Sequence, residues 1–270
     1  MFAGRLLRRL FPSFSELAAT ILTRTYTEDG LITRHTADFL NDEKFMSAYA
    51  KGKATGSWMS MNPRWRVYTA CWAASHAIDL CGNFVECGVN RGGMALTIME
   101  FLSFNSRDKL FFLVDTYCGF PEGSKSARAN QGQYHDCYAD VVRTFSPFSG
   151  ARIVKGKVPE ILPTVDSHQI SYLSIDMNCV EPEIAAVRYF WPRLVDGAVL
   201  LLDDYAGGPD YRPQKNAFDA LSCELGFKIL ALPTGQGLAL KTNASPEGAK
   251  KSNWTGSNTE TAAKHRGKTQ

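Results

Sequence analysis

Three carboxylates stand directly after two apolar runs. Ser171-Tyr172-Leu173-Ser174-Ile175 ends at Asp176, and Ala198-Val199-Leu200-Leu201-Leu202 ends at Asp203-Asp204. If the runs are neighbouring strands, the acids meet at one sheet edge. Like charges held that close raise each other's pKa unless something positive lies among them. A divalent cation that prefers oxygen, Mg2+ or Mn2+, meets that need. Any single Asp is as well explained by capping the segment that follows it. Three of them, after two buried runs, point to a metal.

A second constellation lies upstream. Phe84–Gly93 (FVECGVNRGG) runs from a strand through a glycine-rich turn into a helix. Gly88 permits a sharp turn, and Gly92 and Gly93 let the helix start approach a ligand closely. Glu86, Gly88, Asn90, Gly92 and Gly93 are therefore candidate cofactor contacts. The spacing E-x-G-x-x-x-G-G differs from the G-x-G-x-x-G of dinucleotide enzymes, where backbone N–H groups and a helix N-terminus face an anion. A carboxylate at Glu86 suits a cofactor without phosphate. The next strand, Leu110–Val114, ends at Asp115, placed to accept hydrogen bonds from the ribose hydroxyls of an adenosine. Enzymes that use NAD share that device, and a βα turn whose glycines serve packing alone is the competing reading.

From Asn83 onward, strands and helices alternate. The expected strands are Phe84–Cys87, Leu110–Val114, Arg152–Val154, Ile170–Ile175, Ala198–Leu202, Phe227–Leu230 and Leu238–Lys241. The expected helices are Met94–Phe104, Tyr134–Phe145, Pro159–Val165, Pro182–Leu194 and Pro213–Leu225. Continuous apolar strands separated by helices predict an α/β, Rossmann-like fold with a mostly parallel sheet covered on both faces. Right-handed crossovers put the loops after the strands on one edge, where such sheets bind ligands. Residues 12–80 read as helical without strand signals, with helices at Ser13–Thr25, Asp38–Tyr49 and Trp65–Leu80. The expected organisation is a helical cap over 1–80, the sheet domain over 81–242 and a disordered tail over 243–270. Trp58, Trp65 and Trp72 are expected in the core.

The chain has 270 residues, 44% of them hydrophobic, enough for one substantial core. A net charge of +3 gives no argument for nucleic acid. No apolar run reaches the roughly 18–20 residues of a membrane span, so stable membrane insertion is not expected. The basic start, Met1–Phe11, is read as an exposed helix end ahead of a membrane-surface helix or a transit peptide; a secretory signal is disfavoured. The seven cysteines form no CxxC pair and read as small core hydrophobes in a reducing compartment, the cytoplasm. A homo-oligomer is compatible with this composition.

Taken together, Phe84–Gly93, Val114-Asp115-Thr116 with Gly119-Phe120-Pro121, Ile175–Asp204 with its closing Asp-Asp-Tyr, and Pro233-Thr234-Gly235-Gln236-Gly237 resemble the macrocin O-methyltransferase family over residues 60–241. The resemblance implies a seven-stranded class I methyltransferase sheet with an antiparallel last strand. It also implies bound S-adenosylmethionine and Mg2+-dependent methylation of a hydroxyl on a sugar, glycoconjugate or other natural product. It implies Asp176, Asp203 and Asp204 as metal ligands, Asp176 also as general base, and Glu86, Gly88 and Asp115 as the cofactor lining. The sequence departs from the pattern at Asp176-Met177-Asn178-Cys179-Val180-Glu181-Pro182, where many members read Asp-x-Asp followed by Tyr-Glu-Ser-Thr.

His135 falls in a polar segment, Ser124–Asp140, of a length that suits a lid, and is an alternative base or substrate contact beside Arg128, Tyr134 and Tyr138. Such a histidine is more often simply exposed. Two rival functions stay in view: an NAD(P)-dependent oxidoreductase on a similar sheet, which lacks its usual glycine spacing here, and a non-catalytic binding protein, which would not need the acids.

Overall fold

A computed structural model describes residues 21–120 and 134–242. The basic start Met1–Phe11, most of Ser13–Thr25, Arg128 with most of Ser124–Asp140, and the tail 243–270 lie outside the described residues.

The first elements are a hairpin of β1 (Tyr26–Glu28) and β2 (Leu31–Thr33), then helices α1 (Glu43–Ala54) and α2 (Arg64–Ala77). The hairpin corrects the all-helical expectation for this block. Its turn is Asp29-Gly30, both at positive φ (51° and 76°), the geometry that a two-residue turn needs to match the strand twist. An Asp-Gly pair between Tyr-Thr-Glu and Leu-Ile-Thr is a hairpin signal that helical periodicity obscured. Only Asp38–Asn41, a short 3-10 turn, precedes α1 where one longer helix was expected. Asp42 caps α1, its carboxylate accepting from the N–H groups of Lys44 and Phe45.

The main sheet has seven strands: β3 (Asn83–Cys87), β4 (Phe111–Asp115), β5 (Ala151–Lys155), β6 (Ile170–Ile175), β7 (Leu194–Leu202), β8 (Leu230–Ala231) and β9 (Gly237–Leu240). They lie in the order β5-β4-β3-β6-β7-β9-β8. β9 pairs antiparallel with both β7 and β8, and the remaining pairs are parallel. This is a Rossmann-like sheet with the antiparallel last strand that the family resemblance implies. The chain order reverses direction between β3 and β6, so the crevice at the carboxyl ends of those strands is the switch point where ligands bind. The helices are α3 (Gly93–Phe101), α4 (Tyr138–Phe145), α5 (Val180–Phe190) and α6 (Arg212–Leu225). The expected helix at Pro159–Val165 shrinks to a 3-10 turn at Leu162–Thr164, too short and too proline-rich for more.

Two apolar layers sandwich the sheet. Val67, Ala70, Cys71, Ala74 and Ala77 form one buried stripe on α2, and their small size lets the helix close against the sheet in a cluster with Phe84, Tyr172 and Val199. The opposite layer joins Phe190, Trp191, Phe218 and Leu221 to Val85, Leu173 and Leu200. Trp65 packs on Tyr26 and Phe39 against the core as expected, whereas Trp58, stacked on Tyr49, is only partly buried and also lines the cavity at the sheet edge, which corrects its expected place in the core. Trp72 is not in the core either; it is half exposed on the outer side of α2, stacked on His76. Cys71, Cys87 and Cys137 are buried as small core residues, whereas Cys81, Cys118 and Cys223 are exposed, which corrects the expectation that all seven lie in the core. Among the described residues, no helix is long and apolar enough to cross a membrane.

Gly88 is the tightest point of the sheet edge. Its φ is +93°, and a Cβ there would sit 1.8 Å from the backbone oxygen of Asp176. Gly88→Ala is expected to lower stability by more than about 3 kcal/mol, because backbone must move and a positive φ must be kept. Gly30→Ala, in open space at a similar φ, should cost only about 1 kcal/mol. Urea unfolding of both variants checks the contrast, which equal losses would contradict.

Candidate functional site

Hydrogen bonds continue past the strand ends and draw three loops together. The N–H of Gly88 donates to Val114 (2.9 Å), that of Asp176 to Cys87 (2.8 Å) and that of Asp203 to Ile175 (3.0 Å). The residues after β3, β6 and β7 are thereby set side by side. A cavity of about 300 Å3 opens there, and its lining includes Glu86, Gly88, Asp115, Asp176, Asp203 and Asp204. Its volume is at the lower end of the range for small-molecule sites.

Asp115 shapes the glycine turn. Its Oδ2 accepts from the backbone N–H groups of Val89 and Asn90, both at 2.7 Å, and its Oδ1 from that of Tyr117 at 2.7 Å. It lines the cavity while already holding the loop. Asn90 also lines the cavity; its φ is +51° and its side-chain amide donates to the backbone oxygen of Ser57 at 3.3 Å. Gly92 and Gly93, expected against a ligand, face protein instead. A Cβ on Gly92 would meet the Phe145 ring at 2.4 Å, and one on Gly93 would meet Ser57 at 2.8 Å. Their missing side chains serve the packing of α3, and neither lines the cavity. Glu86 is buried, and its Oε2 has no hydrogen-bond partner among the described residues. Burial, with Asp203 and Asp115 nearby, pushes its carboxyl well above the usual range.

The three acids are unequal. Asp203 has both oxygens engaged: Oδ1 accepts from Gln236 Nε2 at 2.9 Å and Oδ2 from Arg66 Nη1 at 2.7 Å. Asp204 lies 3.9 Å from the same guanidinium nitrogen, and its buried Oδ2 has no hydrogen-bond partner among the described residues. Asp176 accepts a long contact from the Asn178 amide, 3.4 Å. Burial and then the charges of Asp203 and Asp204 raise Asp176 well above the ordinary carboxyl value; burial and then Asp203 do the same for Asp204. The positive group among these acids is Arg66. Among the described residues, no three His, Cys, Asp or Glu side chains form a group that could hold a metal ion. The preformed three-ligand set expected of Asp176, Asp203 and Asp204 is therefore not closed, because Arg66 and Gln236 hold Asp203.

Several cavity residues had no part in the sequence reading. Arg66 comes from the first turn of α2 and Asp29 from the hairpin turn; behind the lining, Gln236, just before β9, is fully buried and accepts from Thr234. Tyr211 stands beside Asp204, whose charge, with burial, pushes the phenol up to about 12. Burial and then Asp176 do the same to Tyr134, also to about 12. His135 lines the cavity next to Tyr134 but is itself exposed.

The family model described as macrocin-O-methyltransferase (TylF) matches residues 18–221. The chain belongs to the macrocin-O-methyltransferase family. A curated relative, mycinamicin III 3''-O-methyltransferase of Micromonospora griseorubida, is 26% identical over 140 residues, covering 46% of this chain and 55% of the relative. The aligned stretch thus spans about half the length of that relative. Among solved structures, the O-methyltransferase NovP aligns with a TM-score of 0.63 at 16% identity, over 77% of this chain and 100% of NovP. The calicheamicin methyltransferase CalS11 aligns at 0.53 and 15% identity, over 72% of this chain and 91% of CalS11. Both share the fold.

Within this family member, Glu183 braces the loop that carries Asp176. Its Oε1 accepts from the N–H groups of Met177 (3.2 Å) and Cys179 (3.3 Å), while Oε2 is buried without a hydrogen-bond partner among the described residues. Burial raises its pKa from 4.5 to about 7, against the lowering effect of the backbone N–H groups. The folded state therefore binds this proton more tightly than the unfolded chain. Its contribution to stability is full below pH 4.5 and is lost as pH rises through about 7, a change on the order of 3 kcal/mol. Glu183→Gln should remove that slope. Urea unfolding at pH 5 and pH 8 reads it, and an unchanged slope would contradict the assignment.

Proposed function

We propose that this chain is an S-adenosylmethionine-dependent O-methyltransferase acting on a hydroxyl of a sugar, glycoconjugate or other natural product, with a divalent cation, Mg2+ or Mn2+, at its acidic edge. The observation that carries the proposal is the shared cavity. It sets the Gly88 turn and Asp115, suited to an adenosyl cofactor, against a carboxylate cluster suited to activating a hydroxyl. Family membership and the name of the curated relative support the reaction class. The seven cysteines, with no disulfide found among the described residues, suit a reducing compartment, and the cytoplasm is the proposed location.

The residues fit both groups. The Gly88 turn, Asp115 and the unpartnered Oε2 of Glu86 line the cavity where the ribose and amino-acid portions of the cofactor would lie. Asp204 Oδ2, buried and unpartnered, and Asp176 offer hard oxygens to a cation. Mg2+ is commonly held by one or two carboxylates with water completing its shell, so a closed three-acid cage is not required. Asn178, in place of the second Asp seen in many family members, adds a neutral carbonyl oxygen and no charge.

When bound, the sulfonium supplies an electrophilic methyl carbon, and the cation lowers the pKa of a hydroxyl it touches. Asp176 accepts the proton that the acceptor oxygen loses as its bond to carbon forms and the carbon–sulfur bond breaks. Tyr134 and Tyr211 stay protonated near neutral pH and can donate to the other oxygens of the acceptor. Holding acceptor and donor in line inside the cavity supplies much of the rate enhancement.

In a thermal-shift panel, S-adenosylmethionine and S-adenosylhomocysteine should raise the melting temperature while NAD does not, since a ligand that binds only the native state stabilises it. Asp176→Asn should lower turnover by at least about a hundredfold with cofactor binding retained, the usual scale for losing a general base. Stabilisation by NAD alone, or full turnover in excess EDTA, would refute the corresponding part of the proposal.

A further inference from the structure

Helix α3 begins without a cap of its own. Gly92, the residue before it, has a φ of +84° and no side chain, so the first N–H groups of the helix need a partner from elsewhere. Ser57 supplies it from the loop between α1 and α2: its Oγ accepts from the N–H of Gly93 at 2.8 Å. The backbone oxygen of the same residue accepts from the Asn90 amide at 3.3 Å. One residue of the helical cap thus holds both the middle and the end of the glycine turn. A pair of glycines brings it there. A Cβ on Gly52, in α1, would lie 2.5 Å from the backbone oxygen of Gly93; without it, α1 packs directly on the start of α3. The loop that follows is tied to itself. Gly56 donates to the backbone of Lys53 at 3.1 Å and Met61 to that of Trp58 at 2.9 Å, and Thr55 Oγ1 lies 3.0 Å from Ser57 Oγ.

Trp58 is the next residue. Its ring stacks on Tyr49, with centroids 5.4 Å apart and planes 9° from parallel, and its edge lies 3.1 Å from where a Cβ of Gly93 would sit. It is partly exposed and, among the tryptophans of the described residues, alone in lining the cavity. An aromatic ring already held by protein is surface that a ligand can cover at little further ordering cost.

We infer that Ser57 and Trp58 form a clasp through which the helical cap takes part in cofactor binding. Ser57 is a positioning residue that fixes the glycine turn from outside, and Trp58 is a wall that the bound cofactor covers. This rests on the proposed reading that the cavity takes S-adenosylmethionine, and it is independent of the acidic edge. With Ser57 on the N–H of Gly93, the start of α3 offers that group to protein and not to a ligand phosphate.

S-adenosylhomocysteine and the full chain test the clasp. Isothermal titration calorimetry reads binding, and tryptophan fluorescence reads Trp58. Binding should change the emission of the wild type and of Trp72→Phe, whose altered position lies on the outer side of α2. Trp58→Phe should still bind, with the emission change lost. Ser57→Ala should weaken binding about fivefold, the equilibrium equivalent of one lost helix cap, because the ligand must then order the turn itself. In the wild type, amide hydrogen exchange at residues 55–61 should slow when the ligand binds, a readout that needs no variant to fold. An emission change that persists in Trp58→Phe, an unchanged affinity in Ser57→Ala, or exchange at 55–61 that the ligand leaves untouched would overturn the clasp alone. Calorimetry that shows no binding to the wild type would overturn the cofactor reading and the clasp with it.

Discussion

Gly88 and Asp176 touch through their backbones, and the rest of the site follows from that contact. Two parallel strands at the centre of a sheet diverge into separate loops, and a side chain on either loop normally props them apart. Here the residue after β3 has no Cβ, so the backbone after β6 can close to a distance that a methyl group would forbid. The bonds from Gly88 to Val114, Asp176 to Cys87 and Asp203 to Ile175 then extend the ladder one step beyond the strands. Residues dispersed over more than 100 positions of sequence become neighbours because the sheet's switch point lies between β3 and β6.

That convergence has an electrostatic cost. Glu86, Asp115, Asp176, Asp203 and Asp204 line one cavity, and removing carboxylates from water favours their neutral forms. The fold answers at three points. Asp115 is satisfied by backbone N–H groups of the loop it shapes, Asp203 by Arg66 and Gln236, and Glu183 by the loop behind Asp176. Glu86 Oε2, Asp204 Oδ2 and the second oxygen of Glu183 are left without a hydrogen-bond partner among the described residues.

The sheet and its acidic edge were legible because parallel strands buried on both faces read as apolar runs, and the residue after each run is a loop residue at a known edge. Asp115, Asp176, Asp203 and Asp204 were found that way. The same reading gave Gly92 and Gly93 the wrong neighbours, since a glycine that approaches a ligand and one that approaches Phe145 look alike in sequence. Arg66 was invisible for a different reason. Its partners lie 37 and 137 residues away, and an arginine in the first turn of a helix carries no mark of what it will pair with. The hairpin that brings Asp29 was readable from Asp29-Gly30, but strands of three residues give too little alternation to compete with the helical pattern around them. Trp72 shows the limit of composition: large aromatic rings are usually buried, and this one lies on the outer side of a helix whose inner stripe is mostly alanine.

The claim at the centre is that one crevice joins the glycine turn to the carboxylates. A crystal structure of the chain soaked with S-adenosylhomocysteine and Mn2+ tests it most directly, with the manganese located from its anomalous signal. The account predicts the adenosyl ribose beside Asp115, the sulfur directed toward Asp176, and the manganese peak against Asp176 and Asp204. A ligand bound away from Gly88, or a manganese peak remote from both acids, would contradict it.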